Sequence, residues 1–155
     1  MEMFKREAGV DVLHIPYKGT TAALTGLIGG DVDLMVESLP AAKPHIDSGR
    51  VKVIATGSAK GLTGYPEVET VAKYYPGFNA TTWVALMTPK GTAPGVLDKL
   101  HASTQAVIKT DRLQKLFREN AAEPMVLSRA QSHDYIAGEV AKWKGIIKQG
   151  NISAD

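Results

Sequence analysis

What constrains this chain most is an alternation of two hydrophobic periods within its first 56 residues. Three short runs rich in β-branched residues, at 10–17, 32–36 and 51–56, read as buried strands. Two helical patterns lie between them. The first, TAALTGLIGG, sets Leu24, Leu27 and Ile28 at i, i+3 and i+4 and closes on Gly29-Gly30. The second, PAAKPHIDSG, runs from Pro40 to Gly49 with proline in its first turn, where no backbone donor is needed. A β-α-β-α-β order implies a parallel sheet with helical crossovers. The expected fold class is therefore α/β.

In such a sheet, ligands collect beyond the carboxyl ends of the strands, where helices begin. The first strand ends in YKGTTAA, residues 17–23. Gly19 lets the chain turn without a Cβ penalty, and Thr20 or Thr21 can cap the helix that follows. The free N–H groups of its first turn, Ala22 included, then point outward as a ready anion site. The second strand ends in Glu37-Ser38 before Pro40-Ala41-Ala42 and repeats the arrangement. Ser38 can donate to an anion or cap the helix. Glu37 repels an anion, so it is expected either to turn outward or to meet a cationic or hydroxyl group on the ligand. Strand–turn–helix units need caps whether or not they bind anything, so a purely structural role also fits these residues.

Beyond residue 56 the composition shifts toward Gly and Pro, and a boundary is expected near 56–58. A short helical candidate at 68–74 precedes an apolar strand at 82–87 that stops at Pro89. Trp83 on that strand reads as a core aromatic that could also border a cleft. Three helices follow. One starts at Pro94 and presents Leu97, Leu100, Val107 and Ile108. The next, in DRLQKLFRENAAE, presents Leu113, Leu116 and Phe117. The last opens on a capping box from Ser128 to Gln131, with Ile136, Val140, Trp143 and Ile147 as its stripe.

Composition removes several function classes. The 155 residues are 44% hydrophobic and 22% charged, which suits one ordinary domain or two small lobes with a real core and argues against disorder. A net charge of +2 from scattered basic residues gives no stripe for nucleic acid. The absence of cysteine rules out disulfides, thiolate metal sites and cysteine nucleophiles. His14, His45, His101 and His133 stand far apart, so no metal is expected. Without GxSxG, GxxxxGK[ST] or GxGxxG, no cofactor is expected either. No apolar run reaches the length of a membrane span. No signal peptide is visible. The opening MEMFKREAGVD reads as the tail of an amphipathic helix with Gly9 as its C-cap, which suggests a fragment.

The run HIPYKGTTAALTGLIGGDVDLMVESLPAAKPHIDSGRVKVIATGSAK resembles the extracytoplasmic substrate-binding receptors of tripartite tricarboxylate transporters, the Bug family. Their pattern runs VPYKG, a small-residue helix, GGxVDLM, a short acidic or Asn/Ser turn, LP, PHI, a glycine, and a strand leading into TSAKR. The likeness continues through YPEVETVAKYYPGFNATTWVALMTPKGTAP to VAKWKGIIKQGNISAD and so spans essentially the whole chain. It departs at Ala22, often proline in the family, and at Glu37-Ser38, often Asp-Asn.

The resemblance implies a type II periplasmic-binding-protein fold of two lobes, represented here by its C-terminal half. Residues 1–56 would form most of ligand-binding lobe two, and residues 57–155 the returning part of lobe one with the C-terminal helices. Residues 55–58 would be a hinge crossing. It further implies a periplasmic location for the full-length family, membrane transporter subunits as partners, and a small organic carboxylate as ligand, with no enzymatic group required. The implied contacts are Tyr17, Gly19, Thr20, Thr21, Ala22, Glu37, Ser38 and Trp83. A half-receptor leaves strand 82–87 without sheet partners, so a homodimer is expected, with C-terminal halves intertwined or swapped. Two other readings stay open. One is a self-associating remnant that binds no ligand. The other is an α/β enzyme acting on a carboxylate or phosphate ester, although no nucleophile–base or acid–base pair stands out.

Overall fold

A computed structural model of the chain describes residues 1–150; the end of the quoted C-terminal run, 151–155, lies outside the described residues. Helix α1, Glu2–Ala8, ends on Gly9 at φ 64°, where glycine alone is unstrained, as the sequence predicts. Helix α2, Thr20–Gly29, closes on Gly30 in the same left-handed conformation. Helix α3, Leu39–Asp47, carries Pro40 in its first turn. The candidate at 68–74 shrinks to a 3₁₀ turn, Val71–Lys73, whose start is capped by the Thr70 side chain accepting from the Lys73 N–H. Helices α4 (Pro94–Ile108), α5 (Asp111–Glu119) and α6 (Arg129–Gly150) complete the chain. The capping box forms in both directions. The Ser128 N–H donates to Gln131 Oε1 at 2.9 Å, and the Gln131 N–H donates to Ser128 Oγ at 3.2 Å.

The expected strands are where the structure departs from the sequence pattern. Among the described residues, 10–17, 32–36, 51–56 and 82–87 form no β-ladder, and the one bridge is parallel, between Thr56 and Thr70. Around that bridge the chain is tightly held. The Thr56 N–H donates to the Glu69 carbonyl, the Val71 N–H to the Thr56 carbonyl, and the Ala80 N–H to the Gly57 carbonyl, each at 2.9 Å. Gly57 is needed there, because a Cβ would lie 2.5 Å from the Ala80 carbonyl oxygen. Elsewhere the strand-like runs carry exposed apolar side chains two residues apart: Leu13 and Ile15, Leu34 and Val36, Val84 and Leu86. That spacing is one face of a strand. These runs have the residues of strands but lack strand partners among the described residues.

The core is correspondingly small for a length that could bury a real one. Among the described residues, the buried apolar side chains are Leu24 on α2, Phe78, and Ile146 on α6. The stripe read on α6 is rotated by one position. Val140 and Ile147 are exposed, while Glu139 and Ile146 are buried. Glu139 can face inward because its carboxylate is fully engaged, by Lys142 and by Trp143 Nε1 at 3.0 Å. Phe4 of α1 packs edge-on against Tyr75, with ring centroids 6.2 Å apart.

Candidate functional site

The start of α2 is open. Gly19, at φ 98°, is its N-cap, and no side chain closes the helix. The expected Thr20 or Thr21 cap does not form, because both threonines already lie within the first turn. The Thr25 hydroxyl donates back to the Thr21 carbonyl at 3.0 Å. The first helical bond runs from the Ala23 N–H to the Gly19 carbonyl. The N–H groups of Thr20, Thr21 and Ala22 therefore have no backbone acceptor among the described residues. Three outward donors at the positive end of a helix suit a carboxylate.

The start of α3 lies beside it, joined through Glu37. Ser38 is the N-cap of α3, but its hydroxyl does not cap. Instead the Ser38 N–H and hydroxyl both donate to Glu37 Oε1, at 2.7 and 2.9 Å. Burial alone would raise the Glu37 pKa. Hydrogen bonds from the Ser38 backbone, the Ser38 hydroxyl and the Thr20 hydroxyl outweigh it and hold the carboxyl below the usual range. Glu37 thus does not turn outward: it meets the chain's own donors and bridges the two helix starts.

Between α2 and α3 runs a cavity of about 460 Å³ with Thr20, Thr21, Thr25, His45 and Arg50 in its lining. Leu24 and Ile28 supply an apolar wall. Arg50 spends its Nε on Ser48 Oγ at 3.1 Å. His45 Nδ1 is buried without a hydrogen-bond partner. Sequence reasoning passed over both residues; the only signal was their place just before and just after the end of α3. Tyr17 stacks on α2, where its hydroxyl lies 2.3 Å from the position a Cβ on Gly26 would take, so Gly26 makes room for the ring. Trp83 is not brought to this group by any contact described. Its aromatic partner is Tyr135 of α6, with centroids 6.1 Å apart, and its indole also supports Glu139. No three potential metal-ligating residues cluster among the described residues.

Solved structures share this architecture. One is the R. palustris protein Rpa4515 with adipate, with a TM-score of 0.86 and 29% identity over 98% of this chain and 51% of that one. The periplasmic binding protein BugD gives a TM-score of 0.82 and 31% identity, covering 98% of this chain and 52% of BugD. The fold is thus that of the periplasmic binding proteins. Residues 1–152 match the tripartite tricarboxylate transporter family receptor, and the chain belongs to that family. Protein BugT of Bordetella pertussis is 33% identical over 149 residues, which are 96% of this chain and 46% of BugT. The chain spans about half the length of that relative.

Proposed function

We propose that this chain forms part of a periplasmic receptor that captures a small organic carboxylate for a tripartite tricarboxylate transporter. The observation that carries the reading is the open first turn of α2, three backbone donors beside a second helix start. Fixed, neutral N–H groups hold an anion without a buried counter-charge, which keeps affinity moderate and release possible. The cavity between α2 and α3 adds Arg50, a planar donor suited to a second carboxylate. A dicarboxylate is therefore the favoured ligand class, consistent with the adipate of the solved relative. In this reading residues 1–56 supply most of lobe two, residues 57–155 return into lobe one, and no enzymatic group takes part.

The test is native mass spectrometry of the chain with a panel of mono- and dicarboxylates. One dicarboxylate bound per chain is expected, with loss of binding in Thr21→Pro. That substitution removes one N–H together with the Thr21 hydroxyl, and proline is tolerated in a first turn, as Pro40 in α3 demonstrates. Equal retention of ligand by Thr21→Pro and the unmodified chain, with helix content preserved in both, would refute the site.

A further inference from the structure

We propose that His45 is a specificity-determining residue: together with Arg50 it holds the far carboxylate of a diacid whose near carboxylate sits on the open first turn of α2. The inference rests on the carboxylate reading above and names the group that reads the second charge.

The cavity between α2 and α3 has suitable chemistry along its length. Thr20 and Thr21 belong both to the donor turn and to the cavity lining, so the two are continuous. From Ala41 in the first turn of α3 to His45 near its end, the helix advances about 6 Å, a span that a short aliphatic diacid bridges. Leu24, Ile28 and Ala41 offer apolar contact to the methylene chain. No acidic or amide side chain stands in the lining, which carries the Arg50 guanidinium. Such a lining suits a negatively charged acceptor at the far end, not an ammonium or a neutral amide.

His45 narrows this further. Its Nδ1 is enclosed and has no hydrogen-bond partner. A proton there would make an orphaned buried N–H, which folded proteins tolerate less often than an unpaired acceptor. The neutral ring therefore keeps its proton on Nε2, the nitrogen that is not enclosed. An imidazole on a cavity wall with its proton on the reachable nitrogen is a fixed, neutral donor. A side chain that only packed would have no need to desolvate a ring nitrogen; that cost is offset when Nε2–H meets an anion. Arg50 complements it. Ser48 Oγ accepts from Arg50 Nε at 3.1 Å, which anchors the guanidinium and leaves its Nη groups without a partner among the described residues.

The experiment is a titration of the chain, ¹⁵N-labelled on backbone and histidine rings, with adipate and with hexanoate, which lacks the far carboxylate. Long-range ¹H–¹⁵N spectra in mildly alkaline buffer show which ring nitrogen carries the proton, and His45 is assigned by its loss in His45→Gln. The expected result is an Nε2–H ring that adipate shifts saturably, with the same midpoint as the Thr20, Thr21 and Ala22 amides, and that hexanoate leaves in place. His45→Phe should weaken adipate about tenfold with helix content unchanged, the loss expected for a hydrogen bond to a charged group. His45→Gln, which keeps an N–H donor near the place of Nε2, should restore most of that affinity. Amide shifts with an unmoved His45 ring, a ring protonated on Nδ1, or equal ring shifts with hexanoate would overturn this proposal and leave the carboxylate turn standing. No response from either the amides or the ring would overturn both. The ring readout is taken on the unmodified chain, so it decides the matter even where His45→Phe fails to fold.

Discussion

Glu37 carries a negative charge into a turn made of donors, and the consequences for stability and for binding have opposite signs. Its carboxyl pKa is lowered because Ser38 and Thr20 donate to the ionised form, outweighing burial. The stabilisation is fully present above the ordinary carboxylate range and is lost as pH falls through the lowered value. Glu37→Gln should therefore cost the isolated chain about 1 kcal/mol or less near neutral pH, and the difference should vanish in acid, as pH-dependent urea melts would reveal. The same substitution should tighten a simple dicarboxylate several-fold by removing a like charge. Unchanged affinity would mean that Glu37 does not face the ligand. The sequence made Thr20, Thr21, Ala22 and Ser38 conspicuous through the Gly19 turn. It could not place the Glu37 carboxylate on Thr20, because that contact joins residues 17 apart through side-chain rotamers. At Gly57 the restriction is steric. Gly57→Ala would push a methyl to 2.5 Å from the Ala80 carbonyl, and a loss of about 1–3 kcal/mol is expected in thermal or urea unfolding.

At the scale of elements, the helices were largely legible and their inner faces less so. Glycine C-caps, first-turn prolines and the Ser128–Gln131 box are local signals, and each marks a boundary that the structure keeps. The inward face of α6 is not a local matter. A hydrophobic stripe places Val140 and Ile147 inside, but the helix turns to bury Glu139 with Ile146, since Lys142 and Trp143 satisfy the acid and Trp83 adds a further donor. Polarity was a poor guide because the partners of Glu139 lie one turn on and on a distant segment. Burial raises the Glu139 pKa, yet these donors lower it on balance. Glu139→Ala should thus cost about 1–3 kcal/mol at neutral pH, less than a fully enclosed pair because Lys142 remains partly in water. The penalty should shrink as pH falls through the depressed carboxyl value, as melts of both proteins across acidic pH would show.

For the molecule as a whole, the α/β pattern pointed to the architecture, while the strands themselves were out of reach of one chain's chemistry. β-branched runs at 10–17, 32–36, 51–56 and 82–87 announce strands, but a ladder needs a neighbour at the right register, and propensity does not supply one. The family likeness survives because helices and turns hold the runs in position, with Thr56 and Gly57 pinned to the 69–80 segment. The most direct test of the proposed carboxylate site is an amide-resolved NMR titration of the ¹⁵N-labelled chain with adipate, which detects even weak binding. The account predicts saturable shifts led by the Thr20, Thr21 and Ala22 amides and accompanied by Ser38. Saturable shifts confined to other residues, or none at millimolar ligand, would contradict it.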